Sequence, residues 1–384
     1  MHINADMNIR EILEKFPESI DVFTNNGFKG LDDERVLEVL EKITLREALK
    51  LKKSDLNSFM ALIEESITTE PRKNKEDAVS LMGLLPCPVR IPLLEGFKKF
   101  LDNNPDINVN YELKAASSGL AWLDLNNLAD MFISAGFDLF FEKERMGKFK
   151  AEGLFKDITG IEKYNSDFEN ETISLKDPYG DYSMLGVVPA IFLVNKDIIG
   201  DRPMPTSWKD ILDPKFKKSV SLPIADFDLF NAILVNIYKN FGEEGVRALG
   251  NNLLESMHPA QMVGSNGPAI TIMPYFFSKM IKEDGPMSVV WPEEGANNKI
   301  ISPIFMLTKK SKEKELKKIA EFMSGEAVGN IISQQGLFPS VNPNVKNPTS
   351  GKPMMWVGWD YIYNNDIGKL IKHCEEIFNE GVRA

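Results

Sequence analysis

From residue 78 onward the sequence alternates short apolar runs with segments that repeat apolar residues at helical spacing, and this alternation constrains the fold most. Residues 79–85 form a compact apolar run before Pro86, and residues 91–101 carry apolar residues on one helical face. Such a stretch predicts a buried strand, a loop and a helix. Further strands are predicted at residues 108–113, 131–134, 139–141, 186–194, 219–222, 269–273, 287–291 and 300–307. Helices are predicted at residues 228–241, 312–335 and 366–381, so the pattern is typical of an α/β fold.

The first 66 residues differ from the rest because they show only helical patterns. Thr44 and Glu47 have the spacing of a capping box, in which each side chain bonds the other residue's main-chain amide. Residues 68–77 lack periodicity and are rich in charge, which is typical of a linker. We therefore predict a small all-α domain at residues 1–66, a linker at 67–77 and a larger domain at 78–384.

Charge and hydropathy exclude several classes of partner. No apolar stretch reaches the roughly 20 residues of a spanning helix, so membrane insertion is not expected. The net charge of −11 disfavours nucleic acid as a partner.

The first residues contain no apolar segment of the signal-peptide kind, which predicts a cytoplasmic protein, or a periplasmic or lipoprotein-anchored one if the start is misassigned. The two cysteines, Cys87 and Cys374, lie too far apart in sequence to suggest a disulfide framework or a zinc site.

Three segments of the larger domain resemble the type II periplasmic binding proteins, in particular the iron-binding and small-solute branch of transporter binding proteins. They are Ala129-Asp-Met-Phe-Ile-Ser-Ala135, Val187-Val-Pro-Ala-Ile-Phe-Leu-Val-Asn195 and Pro205-Thr-Ser-Trp-Lys-Asp-Ile-Leu-Asp-Pro214. The third is the most specific, and its local meaning is structural because Ser207 can cap a helix that starts at Trp208. The resemblance continues through Gln335-Gly-Leu-Phe-Pro-Ser340 and covers residues 78 to 384.

The N-terminal residues are similar to a small domain of unknown function, DUF1858, through residues 23–28, Leu31 and Ile43-Thr-Leu-Arg-Glu-Ala48. Some members carry a Cys-x-x-Cys pair, where this sequence has Gly27-Phe-Lys-Gly30. The resemblances together imply a small all-α domain that is followed in the chain by a two-lobed type II periplasmic-binding-protein fold. Lobe one is expected at residues 78–186 and 302–384, and lobe two at residues 187–301.

In open α/β sheets, ligands bind beyond the carboxyl ends of strands, so the candidate residues are sought in those loops. In lobe one they are Cys87 and Arg90 after the first strand, Ser117 and Ser118 after the second, and Glu142 after the third. Arg90 suits an anion, the cysteine a soft metal or an electrophile, the serines a polar ligand and Glu142 a cation. Each also has an ordinary reading as a turn residue, a cap, a surface charge or a buried packing residue.

In lobe two the candidates are Asp226, Asp228, Asn266, Tyr275 and Trp291. Asp228 also fits a helix cap, and Trp291 fits ordinary packing as well as an aromatic wall. The iron-binding relatives use adjacent tyrosines in this lobe. Here Tyr275 is followed by Phe276 and Phe277, which weakens the case for a ferric site and leaves a ligand hydrogen bond or packing for Tyr275.

The leading hypothesis is capture of a small ligand by closure of the two lobes. A metal ion or complex, an oxyanion and a small organic acid all remain open, and a bound metal ion is the only candidate cofactor. The resemblance implies an ABC permease as partner, whereas a cytoplasmic chain would be a carrier or sensor. The alternatives are an enzyme on the same scaffold with Cys87 as nucleophile, and an interaction protein without ligand.

Overall fold

The computed structural model describes most of the chain and shows ten strands among the described residues. The described residues are 3–16, 19–25, 28, 31, 34–52, 56, 59–60, 63–64, 77–115, 128–137, 139–224, 227–256, 268–281, 284–292 and 299–384. The strands are β1 Val79–Leu85, β2 Val109–Ala115, β3 Met131–Ala135, β4 Tyr182–Asn195, β5 Val220–Leu222, β6 Leu253–Ser256, β7 Ile270–Pro274, β8 Met287–Val290, β9 Lys299–Thr308 and β10 Met354–Met355.

The helices of the described residues fall into a small N-terminal group and a larger group around the sheet. They include α1 Ile9–Lys15, α2 Ile20–Asn25, α3 Glu34–Leu40, α4 Leu45–Leu51, α5 Cys87–Asn103, α6 Lys143–Ala151, α7 Lys196–Ile199, α8 Trp208–Ile211, α9 Phe227–Asn252, α10 Glu313–Ser324, α11 Glu326–Asn330, α12 Trp359–Asn364 and α13 Ile367–Arg383. The backbone of α9 is kinked at Gly242 (φ 65°), so α9 consists of two helical segments. Between them, the described part of the chain has 3₁₀ helices at Leu139–Phe141, Pro214–Phe216, Tyr275–Met280 and Lys310–Lys312 and a π-helix at Ile331–Gln335.

Two long antiparallel strands, β4 and β9, join the two halves of the sheet. The strands lie in the order β2-β1-β3-β9-β4-β7-β5-β6, with β8 paired to β4 and β10 paired to β9. The pairing of β4 with β9 runs from Tyr182 opposite Leu307 to Pro189 opposite Ile301. Lobe one is built on β1, β2 and β3, and lobe two on β5, β6, β7 and β8, so the predicted two-lobed α/β fold is confirmed.

The register shows where the carboxyl ends of the strands point. In lobe one β1, β2 and β3 are parallel, and Ala135 at the end of β3 lies opposite Ile304 of β9. In lobe two β5 and β7 are parallel, and Pro274 at the end of β7 lies opposite Ala190 of β4. Both lobes therefore direct their strand ends toward the middle of the β4–β9 pair.

The capping residues expected from the sequence are present. Thr44 Oγ1 accepts from the amide of Glu47, whose carboxylate accepts from the amide of Thr44, so the predicted capping box is confirmed. Ser207 caps α8 in the same way with Asp210. Such boxes satisfy amides that have no partner in the first turn of a helix.

Two predicted elements differ in the structure. Residues 139–141 form a 3₁₀ helix instead of a strand, because the chain turns at Gly136 (φ 86°) and folds back, so that Phe140 packs on Phe132 at 4.5 Å. The helix predicted at residues 312–335 is interrupted at Gly325, which is extended and begins a second short helix. Both differences depend on packing against other parts of the fold, which the local sequence pattern does not specify.

The hydrophobic core of the described residues lies in three clusters. One is formed by side chains of residues 3–63, the largest extends through both lobes from Val79 to Phe378, and a small one in lobe two includes Ile191 and Met273. The predicted domains, with boundaries at residues 66 and 78, stay a prediction. None of the described helices combines the length and apolar character that a membrane span requires.

The last helix, α13, packs against α9 of lobe two, although the sequence-based division assigned residues 302–384 to lobe one. The rings of Phe230 and Phe378 lie 5.2 Å apart, and Arg247 pairs with Glu380 at 3.1 Å. Gly381 permits this approach, since a Cβ there would lie 2.2 Å from the main-chain oxygen of Arg247. The C-terminal residues thus return across the molecule to lobe two.

Candidate ligand site between the lobes

Two of the predicted site residues, Tyr275 and Trp291, contact each other. Tyr275 starts the 3₁₀ helix that follows β7, and Trp291 comes directly after β8. Their ring centroids lie 4.4 Å apart at 60°. Both rings are half-buried and pack on a small apolar cluster that includes Met273. The pair forms an aromatic surface where the strands of lobe two end.

Two ammonium groups lie over the indole of Trp291. Lys299 Nζ is 5.6 Å and Lys352 Nζ is 5.5 Å from its ring centroid, distances at which a cation is attracted to the aromatic face. Lys299 is fully buried at the start of β9, and its Nζ donates to the main-chain oxygen of Pro353 at 3.2 Å. We call Tyr275, Trp291, Lys299 and Lys352 the interlobe site.

The interlobe site draws on both lobes. Tyr275 and Trp291 belong to lobe two, whereas Lys352 follows Gly351, whose amide donates to Asp167 of lobe one at 3.0 Å. Lys299 begins β9, one of the two strands that join the lobes. A ligand at the aromatic surface would therefore be held from both sides of the boundary.

A second contact between the lobes lies beside the interlobe site. Lys279, in the 3₁₀ helix that begins at Tyr275, donates to the main-chain oxygens of Gln334 and Gln335 at 3.3 and 2.7 Å. The rings of Phe276 and Phe338 approach within 6.5 Å. Burial lowers the pKa of the Lys279 ammonium. The lobes are thus in contact around this site.

Arg90 lies on α5 with 1% of its surface exposed. Its Nε donates to the main-chain oxygen of Leu113 at 3.1 Å, which ties α5 to β2. The structure therefore gives Arg90 a structural contact close to the carboxyl ends of β1 and β2. Its predicted role in binding an anion stays a prediction.

Cys87 is the first residue of α5, directly after Pro86, and the described part of this residue is its backbone. The other cysteine, Cys374, is fully buried on α13. Burial raises the pKa of the Cys374 thiol to about 12, so the thiol is protonated and unreactive at neutral pH.

Glu142 lies away from the interlobe site. It precedes α6 and pairs with Arg145 at 3.0 Å, while its neighbour Phe141 stacks on Tyr182 at 4.8 Å. Tyr182 begins β4 and lies opposite Leu307, at the end of β4 distant from the strand ends that face the other lobe. The structure thus separates Glu142 from Tyr275 and Trp291.

Four of the predicted residues, Ser117, Ser118, Asp226 and Asn266, lie outside the described residues. Asp228 is described by its backbone alone, as the second residue of α9. The strands that precede Ser117, Asp226 and Asn266 in the chain are β2, β5 and β6, and each of them is paired in parallel with a neighbouring strand of its lobe. The roles of these five residues remain predictions.

Sequence reasoning missed Lys279, Lys299 and Lys352. Lysines are usually exposed, so a fully buried one such as Lys299 is not expected from residue type. The sequence feature that could have identified Lys299 is its position immediately before the apolar run at residues 300–307. Lys352 lies in a loop with no motif, and only the fold brings it to Trp291.

Within the residues that the structure describes, no group of three or more His, Cys, Asp and Glu side chains is arranged to hold a metal ion. The described side chains of the interlobe site are two aromatic rings and two ammonium groups. Ammonium groups are donors only and do not bind a cation. The described part of the site is suited to an apolar group and an anion.

Comparison with protein-family models gives two matches. A family described as bacterial extracellular solute-binding protein matches residues 126–365, and the domain of unknown function DUF1858 matches residues 3–60. No curated protein matches the chain.

Solved structures share the two-lobed fold. The ferric binding protein from Campylobacter jejuni is 18% identical with a TM-score of 0.58, and the match covers 79% of this chain and 99% of that one. The apo ferric ion-binding protein A of Pasteurella haemolytica is 13% identical with a TM-score of 0.58, over 79% and 98% of the two chains. The substrate binding protein of an ABC transporter from Agrobacterium tumefaciens is 14% identical with a TM-score of 0.55, over 79% and 96%. At these identities the similarity establishes the fold.

Proposed function

The chain belongs to the family of bacterial extracellular solute-binding proteins, and we propose that its solute is a small organic anion held at the interlobe site. The observation that carries this proposal is the position of the Lys299 and Lys352 ammonium groups over the Trp291 indole, 5.6 and 5.5 Å from the ring centroid. Trp291 and Tyr275 would pack on the apolar part of the solute. The positive charges beside them would attract its carboxylate.

A solute at the interlobe site would be covered by one lobe on each side, and this removal from water would contribute to its affinity. Tyr275 and Trp291 supply the surface in lobe two, and Lys352 approaches from the segment bound to lobe one. Because charge interactions strengthen as water is excluded, contact between the lobes would favour binding of an anion.

A metal ion alone is the second candidate, since several solved structures with this fold are named ferric-binding proteins. The described residues of the interlobe site disfavour it, because Tyr275 is followed by Phe276 and Phe277 and the described charges over Trp291 are the ammonium groups of two lysines. A bare cation would be repelled by Lys299 and Lys352.

The proposal is tested by calorimetric titration of the purified, ligand-free protein with succinate, citrate, benzoate, phosphate and Fe(III). We expect at least one of the carboxylates to bind. Trp291→Ala should weaken that binding about tenfold or more, since it removes the aromatic surface, and Lys352→Met several-fold. Lys346→Met is the matched control, because Lys346 is exposed on the same segment and should leave affinity unchanged.

Two results would contradict the proposal. One is binding of Fe(III) without any of the carboxylates. The other is carboxylate binding that Trp291→Ala and Lys352→Met both leave at the wild-type level, with melting temperatures that show the variants to be folded.

The family consists of binding proteins, and we propose that this chain delivers its solute to an ABC permease and does not catalyse a reaction. The family is described as extracellular, so the cytoplasmic location expected from the first residues has no support from it. A substrate turnover that Cys87→Ser abolishes would favour an enzyme instead. Cell fractionation with an antibody against the chain would decide the location.

A further inference from the structure

A cavity lies in lobe one, between α6, the residues before β4 and the end of α12. It has a volume of about 300 Å³, at the lower end of the range for small-molecule sites. Its walls include the side chains of Phe141, Met146, Tyr179 and Tyr363, and its polar groups include Lys150 and Asp181. We call it the lobe-one cavity.

The lobe-one cavity is distinct from the interlobe site. Asp181 precedes Tyr182, which lies opposite Leu307, whereas the boundary between the lobes lies near Pro189 opposite Ile301. Pro189 lies seven positions after Tyr182 in β4, a distance of roughly 20 Å along an extended strand. Residues of the interlobe site do not line this cavity.

Lys150 presents an ammonium group whose contacts are two aromatic faces. Its Nζ lies 4.6 Å from the ring centroid of Tyr182 and 4.5 Å from that of Tyr363. Among the described residues, no carbonyl or carboxylate accepts a hydrogen bond from it. Burial lowers the pKa of Lys150, and the charges of Asp181 and Asp177 offset part of that change.

Asp181 presents the opposite charge in the same cavity. Its main-chain amide donates to Asp177 at 2.9 Å, but within the described residues its carboxylate accepts no hydrogen bond and forms no ion pair with Lys150. Asp177 is already occupied, since it accepts from the Tyr363 hydroxyl at 2.7 Å and from three main-chain amides. Burial raises the pKa of Asp181, and Lys150 lowers it. The described residues thus balance neither charge with a direct hydrogen bond or ion pair from a side chain.

From an ammonium and a carboxylate that form no hydrogen bond with another described side chain, and from the aromatic walls of one small cavity, we propose that lobe one binds a second ligand, a small zwitterion of the amino-acid class with an apolar side chain. The ligand carboxylate accepts from Lys150 Nζ, and the ligand ammonium donates to Asp181. The apolar side chain packs against Phe141, Met146 and Tyr179. Charge-assisted hydrogen bonds of this kind favour the ligand that carries both charges.

Calorimetric titration with L-leucine and L-phenylalanine tests this proposal on the full chain. At least one of them should bind, and its N-acetyl derivative and its methyl ester, which lack the ammonium and the carboxylate, should bind at least about tenfold more weakly. Lys150→Met and Asp181→Asn should each weaken binding of the free amino acid at least about tenfold, as blocking the corresponding group of the ligand does. Asp181→Asn should leave the affinity for the N-acetyl derivative at the wild-type level.

Matched controls lie on the same helix. Lys148→Met removes an ammonium that lies over Phe149 outside the cavity, and Glu144→Gln removes an exposed carboxylate, so both should leave affinity unchanged. Trp291→Ala should also leave amino-acid binding unchanged, which separates this proposal from that for the interlobe site. If Lys150→Met does not fold, the blocked ligands and Asp181→Asn decide the question.

Three results would overturn the proposal. They are the absence of binding by both amino acids at millimolar concentration, binding that Lys150→Met and Asp181→Asn leave unchanged, and binding that Trp291→Ala abolishes.

Discussion

Lys279 Nζ donates a hydrogen bond of 2.7 Å to the main-chain oxygen of Gln335, and this bond joins lobe two to lobe one. Lys279 lies in the 3₁₀ helix that begins at Tyr275. Gln335 ends a π-helix whose next residue, Gly336, packs so closely on Val89 of α5 that a Cβ there would lie 2.3 Å away. The bond therefore holds the residues around the interlobe site against the first helix of lobe one.

We expect Lys279→Met to favour separation of the lobes, because it removes the donor to Gln334 and Gln335 and keeps most of the side-chain length. The radius of gyration measured by small-angle X-ray scattering should increase. Affinity for the interlobe ligand should fall by about two- to fivefold, the amount that one partly exposed hydrogen bond contributes. Lys209→Met, an exposed lysine of lobe two, is the control, and equal scattering curves for the two variants would contradict this role for Lys279.

Ser207→Ala should lower the free energy of unfolding by about 1 kcal/mol, the usual contribution of a helix N-cap. The side chain of Ser207 accepts from the amide of Asp210, and the carboxylate of Asp210 accepts from the amides of Thr206 and Ser207. Urea unfolding measures the change. Ser174→Ala, at an exposed loop position, should remain within about 0.5 kcal/mol of the wild type, and an equal loss in both variants would argue against the cap.

Asp130 should make the stability of the protein depend on pH in the acid range. Burial opposes its ionisation, but hydrogen bonds from Ser80 and Lys309 outweigh burial and lower the pKa of Asp130. A lowered pKa means that the charged form stabilises the fold above the unfolded-state pKa, about 3.9, and that this contribution is lost as the pH falls toward the folded-state value. Asp130→Asn should therefore be less stable than the wild type at neutral pH.

The difference between wild type and Asp130→Asn should shrink as the pH approaches about 3, which urea unfolding at several pH values would show. The exposed residue Asp201 provides the control, since Asp201→Asn should follow the wild-type pH dependence. A constant difference between wild type and Asp130→Asn over this range would refute the prediction.

Cys374 should contribute stability that is lost in the alkaline range. Burial raises the pKa of its thiol to about 12, above the unfolded-state value of about 8.5. The contribution is therefore fully present below the unfolded-state pKa and declines as the pH rises toward 12. The wild type should exceed Cys374→Ala in free energy of unfolding by less at about pH 10 than at neutral pH. At neutral pH, a thiol reagent should leave Cys374 unmodified until urea is added. Rapid native modification would show that the thiol is accessible.

The N-terminal residues should be separable from the ligand-binding lobes. Their apolar side chains form a cluster of their own, and on its surface Arg46 pairs with Asp6. A shortened chain that begins at Ala78 should keep the affinity of the full chain for both ligands, as measured by the same titrations. Loss of folding or of affinity in that chain would show that the predicted boundary is misplaced.

Local patterns in the sequence predicted most of the elements of the fold. The apolar run before Pro86 is β1 at Val79–Leu85, and the apolar residues after it lie on α5. Ser207 and Thr44 cap the helices expected after them, because a capping box is formed by residues only three positions apart. Such features depend on near neighbours, so a single sequence contains the information that specifies them.

The positions of two residues of the interlobe site were predicted, and their role in binding stays a prediction. Tyr275 and Trp291 each follow a strand whose end faces the lobe boundary, where the general rule for α/β sheets places ligand-binding residues. Glu142 also follows a strand, but the chain folds back at Gly136 and brings Glu142 to the outer end of β4. The rule predicts at which edge of the sheet a ligand binds. It does not predict the path that a loop takes after the strand, which decides where Glu142 lies.

The sequence by itself determined the periodicity of strands and helices, the capping residues and the family resemblance, since each is a property of residues close together in the chain. Only the tertiary structure decided that Lys299 and Lys352 lie over Trp291, that Lys150 lies between Tyr182 and Tyr363, and that α13 returns to lobe two. The physical reason is that these contacts join residues far apart in sequence. Their geometry follows from the packing of the whole core, to which every element contributes.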